Sequence, residues 1–190
     1  MSVSDCIYSN TEICEMKEKA AFFDEYSLKW INSLSDETQC QYVECLTKEF
    51  MKILIDVAPD ANEQESTRSI ETFLELMMQQ VDLMIDEGII ASILLQRFIL
   101  KHQLKGLHLF NGKNFGTVLI VSFILAMKIS RDCVTKNSCI ASMFGISISD
   151  LNMSEIGVIR VLDHECWVVE TQFSEQFEKV FNCERFKKTL

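Results

Sequence analysis

Residues 118–127 form a run that is apolar at every position except Ser122, and the charged residue Lys128 follows the run directly. An apolar run of about 10–14 residues is too short to cross a bilayer and is typical of a core segment. Its length, and the absence of glycine and proline inside it, favour a helix over a buried strand. A helix that is apolar on every side must be surrounded by other helices. We therefore predict an all-helical bundle wound around this segment.

The composition agrees with a helical domain. The chain has 190 residues, of which 48% are hydrophobic, and this length is enough to bury a substantial core. One proline, Pro59, and six glycines leave too few turn residues for an all-β fold. The net charge of −10 disfavours nucleic acid as a partner, because phosphate binding needs a concentrated basic surface.

Eight cysteines are scattered along segments with apolar helical faces, and none is spaced as CxxC. The N-terminus lacks the basic and apolar regions of a signal peptide. We therefore predict reduced thiols that serve as small core side chains, in a cytoplasmic or nuclear protein without a metal site or a cofactor.

Apolar residues at helical spacing predict eight helical segments. The first follows a possible capping box at Ser9-x-x-Glu12 and reaches Leu34. Asp86 is the predicted cap of the fourth segment, and Asp150 or Asn152 starts the seventh. A left-handed Gly145 is expected to end the sixth. The remaining predicted segments cover residues 37–57, capped by Ser35 or Asp36, and residues 68–85, 86–104, 115–131, 136–144, 153–163 and 171–181.

The sequence does not indicate an enzyme. It contains none of the motifs GxGxxG, GxxxxGK, HExxH or GxSxG. Asp163 and His164 are the only adjacent acid–base pair, and neighbours on a helix point in different directions. His102 and His108 lie near a helix end and in a loop, where we expect solvated side chains. We therefore predict no catalytic residue.

Lys128 and Glu155 are the two charged residues that the pattern singles out. Lys128 places an ammonium group at the end of the most buried helix, where a lysine can simply extend toward water. Glu155 is predicted in the first turn of the next long helix, where its charge would suit the helix dipole. These two structural explanations, a lysine that extends to water and a glutamate that serves the helix dipole, both stay open. The functional alternative is that the two charges form a pair that binds a partner.

The residues around this pair match a known pattern. The matching positions are Asn114, Ser122, Ala126 and Lys128, then Asn137, Ala141, Gly145, Ile146 and Ser147, then residues 150–152, Glu155, Ile159, Leu162, Asp163 and Val168. At these positions residues 114–168 resemble, without gaps, the cyclin box of the P/U-type (phosphate-response-like) cyclins. The resemblance extends upstream to about Ile70. The chain departs from the family pattern at Gly116-Thr117, Ser154 and His164.

The resemblance implies an all-α fold: a single five-helix cyclin box (67–168), an N-terminal helical extension (1–66) and a short C-terminal helix (169–190). It implies a regulatory subunit that binds and activates a cyclin-dependent protein kinase by holding the kinase's αC helix inward. In that family a lysine and a glutamate bind the kinase backbone, and these roles fall on Lys128 and Glu155. Neither nucleic acid nor a membrane is an implied partner, and the chain is expected to be a monomer outside the kinase complex. The alternative is a cyclin-box scaffold that binds a protein partner without activating a kinase.

Overall fold

The structure, a computed structural model, describes residues 36–60, 62–107 and 110–181, with side chains from Tyr42 onward. Within these residues the regular structure consists of seven α-helices and no strand, and the residues from Cys40 onward form one compact unit. The predicted helix between Ser9 and Leu34 lies outside the described residues. The helices are α1 Asp36–Val57, α2 Glu63–Val81, α3 Ile85–Leu104, α4 Phe115–Ser130, α5 Asn137–Met143, α6 Ile148–Val161 and α7 Glu170–Phe181.

The centre of the fold is α4, as the apolar run predicts. Every residue from 118 to 127 is buried, and Lys128 is the first exposed side chain after them. The helix packs most extensively against α3 and then against α6. The Phe123 ring also contacts Phe50 of α1 and Phe73 of α2, with ring centroids 5.5 Å and 5.1 Å apart. The all-helical prediction is therefore confirmed.

Two helices begin earlier than their apolar patterns predict. The α2 helix begins at Glu63 rather than near residue 68, because the Asn62 side chain accepts a hydrogen bond from the Glu65 N–H at 3.2 Å. The α6 helix begins at Ile148, where the Ser147 hydroxyl accepts from the Asp150 N–H at 3.4 Å. Both first turns are largely exposed, so an apolar repeat could not reveal them.

The predicted cap of α3 is also wrong. Met84 is the N-cap residue, and its N–H donates to the Glu87 carboxylate at 2.8 Å. Asp86 therefore lies inside the first helical turn. The prediction for the end of α5 is confirmed, since Gly145 follows that helix with φ of +63°.

A buried ion pair joins the end of α4 to the connection between α2 and α3. Glu87 is fully buried, and the Arg131 guanidinium donates to both of its carboxylate oxygens, with Nη2 2.6 Å from Oε2. Arg131 also donates to the carbonyls of Val81 and Asp82, both at 2.9 Å. This one arginine therefore fixes the α2–α3 connection against the end of the central helix.

Asp86 adjoins this pair and makes stability depend on pH. Burial, and then the neighbouring Glu87 charge, raise the pKa of Asp86 from 3.8 to about 6. When folding raises the pKa of an acid, the protonated acid stabilises the fold. This stabilisation is complete at pH values below the pKa in the unfolded chain, and it is lost as the pH rises through the pKa in the folded protein. We expect Asp86→Asn to increase the free energy of unfolding at pH 7.5 by about 1–3 kcal/mol, because the ionised carboxylate is removed. In urea titrations the gain should shrink at pH 4.5, and an equal gain at both pH values would contradict this account.

Helices α1 and α3 cross closely at Gly88. A Cβ atom there would lie 2.2 Å from Tyr42 Oη and 2.5 Å from Leu46 Cδ1, and both of these side chains are buried. Tyr42 is further held by a 2.9 Å hydrogen bond from its hydroxyl to the Ile85 carbonyl. Glycine is therefore required in a helix that would otherwise favour alanine.

We expect Gly88→Ala to destabilise the protein by about 1–3 kcal/mol, because the added methyl group overpacks a rigid contact. Gly157→Ala in α6 is the matched control, since nothing lies within 4 Å of a Cβ at that position. The control should be neutral or should stabilise by up to about 1 kcal/mol. Urea denaturation of both variants measures the difference, and a neutral Gly88→Ala would refute the close contact.

The last helix, α7, covers α1 and α3 through a buried polar network. Glu49 is 2% exposed, and its Oε1 atom accepts from Gln96 at 2.9 Å and from Gln176 at 3.0 Å. Lys179 pairs with the same oxygen at 2.9 Å. Burial raises the pKa of Glu49, but the hydrogen bonds from Lys179 and Gln176 outweigh it and lower that pKa. The Phe181 ring stacks on Tyr42 at the far end of α7.

Candidate partner-binding site

The structure brings the two predicted site residues together. Lys128 Nζ lies 2.5 Å from Glu155 Oε1, although the residues belong to different helices, α4 and α6. The lysine side chain is 39% exposed and the glutamate side chain 11%. Because α6 begins at Ile148, Glu155 lies two turns inside the helix, and the prediction that it serves the helix dipole is wrong.

A third helix, α5, contributes the amide of Asn137 to this site, and α6 adds a second amide, that of Asn152. Asn137, the first residue of α5, donates from Nδ2 to Glu155 Oε2 at 2.6 Å and to Asn152 Oδ1 at 2.9 Å. Both asparagines match the family pattern. The sequence suggested Asn152 or Asp150 only as a helix start, which is wrong because Ser147 is the N-cap, and it gave Asn137 no role. The spacing of Asn152 and Glu155, three residues apart on one helix, is the signal that could have placed them on one face.

Basic residues of α3 fix the C-terminal end of α6. Lys101 Nζ donates to the Leu162 carbonyl at 2.9 Å, and Lys105 Nζ pairs with Asp163 at 2.6 Å. The turn itself is left-handed, with φ of 56° at Asp163 and 63° at His164. Hydrogen bonds from Lys105 and then Lys101 lower the pKa of Asp163. The Asp163 carboxylate is therefore engaged by lysines rather than arranged with His164 for acid–base chemistry.

His102 is not the solvated side chain that its position near a helix end predicts. It is 6% exposed, and its Nε2 atom accepts a hydrogen bond from the Phe110 N–H at 3.2 Å. The ring also packs against Phe98 and Phe110, with centroids 5.8 Å and 6.0 Å away. Its role is thus structural, because it closes the connection between α3 and α4. His108 lies outside the described residues.

Apolar side chains on the outer face of α6 accompany the polar site. Ile148 and Ile156 are 43% and 44% exposed, and each lies four residues, about one helical turn, from Asn152 of the polar site. Met153 is 64% exposed, but it is two residues from Glu155 and therefore lies on a different side of the helix. Exposed apolar residues next to a polar feature are typical of protein interaction sites. The arrangement suits the binding of another polypeptide, with the lysine as a hydrogen-bond donor and the apolar residues as contact area.

The four cysteines with described side chains are free thiols, but their predicted burial is only partly correct. Cys45 is buried, Cys166 is partly buried, and Cys133 and Cys139 are exposed. Within the described residues no group of three or more histidine, cysteine, aspartate or glutamate side chains is arranged to hold a metal ion. In the same residues no helix is both long and apolar enough to cross a membrane.

The fold and the site define an all-helical domain, in which three helices around an apolar core present a small polar cluster. The model of the cyclin family matches residues 69–166, more than half of the 190-residue chain. The chain belongs to the cyclin family, whose members are regulatory proteins that act through a protein partner. Comparison with curated proteins and with solved structures gave no significant match.

Proposed function

We propose that this chain is the regulatory subunit of a cyclin-dependent protein kinase and that it holds the kinase's αC helix in the active position. Holding that helix inward aligns the lysine–glutamate ion pair of the kinase and shifts the kinase population toward its active form. The proposal includes membership in the P/U-type group, which rests on the resemblance over residues 114–168.

The observation that carries the proposal is the Lys128–Glu155 pair at the end of the buried central helix. A paired lysine at 39% exposure can offer its remaining hydrogens to backbone carbonyls of a partner. The exposed Ile148 and Ile156, each one helical turn from Asn152 of the same site, supply apolar contact area. A hydrogen-bonded charge that is desolvated in such an interface contributes strongly to affinity.

Two further properties belong to the proposal. The protein acts in the cytoplasm, the nucleus or both, where a cyclin-dependent kinase is available to it. It is a monomer outside the kinase complex. The net charge of −10 supports a protein rather than a nucleic acid as its partner.

The test is affinity purification of the tagged full-length chain from native extract, followed by mass spectrometry. We expect a cyclin-dependent kinase to co-purify in a stoichiometric amount. That kinase, expressed with and without the chain, is then assayed on histone as a generic substrate. Phosphorylation that depends on the chain supports the proposal. Kinase binding without phosphorylation supports the scaffold alternative. If no kinase co-purifies, both the proposed kinase binding and the proposed kinase activation are contradicted.

A further inference from the structure

The Lys128–Glu155 pair is asymmetric. Both oxygens of Glu155 have partners inside the protein, Oε1 with Lys128 Nζ at 2.5 Å and Oε2 with Asn137 Nδ2 at 2.6 Å. The Glu155 side chain is only 11% exposed, whereas Lys128 is 39% exposed. An ammonium group has three hydrogens to donate, and the bond to Glu155 uses one of them. The lysine is therefore the group that faces outward, and the glutamate faces the protein.

The Asn137 amide is held in a single orientation. Its Nδ2 atom donates to two acceptors, Glu155 Oε2 and Asn152 Oδ1. Turning the amide over would place the carbonyl oxygen Oδ1 against both of these oxygens, which is repulsive. The contacts thus assign the amide orientation without ambiguity.

The described hydrogen bonds of this amide all come from its Nδ2 atom. Asn137 Oδ1 is buried, and no donor among the described residues reaches it. The contribution of the side chain therefore lies in what Nδ2 holds in place, the Glu155 carboxylate and the Asn152 amide.

We propose that Asn137 is a positioning residue for partner binding: it locks the Glu155 carboxylate, which in turn holds the Lys128 ammonium toward the partner. This inference rests on the proposed function for the identity of the partner. Fixing the ammonium before binding lowers the entropy cost of association, because a lysine side chain otherwise samples many rotamers. The two asparagines thereby form a supporting layer beneath the residue that makes the contact.

The first experiment uses the isolated chain, so it does not depend on any kinase. Nitrogen-15 NMR follows hydrogen exchange of the Lys128 ammonium group in the wild type, in Asn137→Ala and in Asn137→Leu. We expect exchange to accelerate about 5-fold or more in both variants, while circular dichroism shows an unchanged helical content. Leucine is close to asparagine in size and is neutral but cannot donate a hydrogen bond, so Asn137→Leu separates hydrogen bonding from packing. Unchanged Lys128 exchange in either variant would overturn the positioning role.

The second experiment measures the dissociation constant for the kinase that co-purifies with the wild-type chain. We expect Asn137→Ala to weaken binding about 5- to 20-fold, but by less than 2-fold when Lys128→Ala is already present. Equal effects in the two backgrounds would show a merely structural role and refute the proposal. If no kinase co-purifies, the proposed function fails, whereas the exchange measurement still decides whether Asn137 positions Lys128.

Discussion

Exchanging the two charges of the site, with Lys128→Glu and Glu155→Lys in one protein, is expected to weaken binding of the proposed kinase strongly while leaving the helical fold intact. The exchange keeps an internal ion pair between α4 and α6, but it presents a carboxylate where we propose that the kinase contacts an ammonium group. Losing a desolvated, hydrogen-bonded interfacial charge costs about 2–5 kcal/mol. Since each 1.4 kcal/mol is tenfold, the dissociation constant should rise by about 30-fold or more.

The matched control is a charge exchange on the surface of α1. Lys48 Nζ pairs with Glu44 Oε1 at 2.6 Å, and the two side chains are 54% and 44% exposed. Lys48→Glu with Glu44→Lys conserves net charge in the same way and should leave kinase binding unchanged. Surface plasmon resonance measures both affinities, and circular dichroism confirms the helical content of both proteins. Binding by the Lys128/Glu155 exchange variant within 3-fold of wild type would refute the site.

The largest loss of stability is expected from Arg131→Met. This change leaves the Glu87 carboxylate, which is fully buried, without its counter-charge, and it removes the donors to the Val81 and Asp82 carbonyls. Breaking a buried ion pair by removing one partner costs about 3–5 kcal/mol, and we expect that loss in the free energy of unfolding. Urea denaturation monitored by circular dichroism measures it.

Two companion variants test the cause. Arg68→Met removes an exposed arginine of α2 and should change stability by no more than about 0.5 kcal/mol. Adding Glu87→Gln to Arg131→Met removes the stranded charge but keeps an acceptor for the Met84 N–H. The double variant should therefore be more stable than Arg131→Met alone. A double variant that is less stable would show that the buried charge is not the source of the loss.

The sequence predicts the centre of the fold well, because a helix that is apolar on all sides must be surrounded by other helices. An apolar stretch interrupted only by Ser122 favours a buried helix that ends near Lys128, and the structure agrees. Helix beginnings are harder to predict, since an apolar repeat marks the buried face of a helix and not its first residue. Asn62 and Ser147 begin α2 and α6 through side-chain hydrogen bonds, and Asp60 and Asp150 nearby are also of a residue type that caps helices.

The site was half predictable from the residues. Lys128 stands out by its position after the apolar run, and the family resemblance adds Glu155. Asn137 carries no charge and belongs to a seven-residue helix, so nothing in the local sequence marks it. Its hydrogen bond to Glu155 depends on how α5 packs against α6. That packing depends on contacts between residues distant in sequence, which a pattern along one chain does not record.

The buried contacts between α1 and α7, which include the network around Glu49, bear on which substitutions this protein tolerates. Tyr42, Leu46 and Phe50 of α1 are at most 1% exposed, and Phe181 of α7 stacks on Tyr42, yet both helices lie outside residues 69–166. Since both helices contribute to the buried core, we expect residues 69–166 alone to be less stable than the full chain. We expect substitutions at buried positions of α1 and α7 to lower cellular abundance, whereas those at Lys128 and Glu155 should alter binding of the proposed partner.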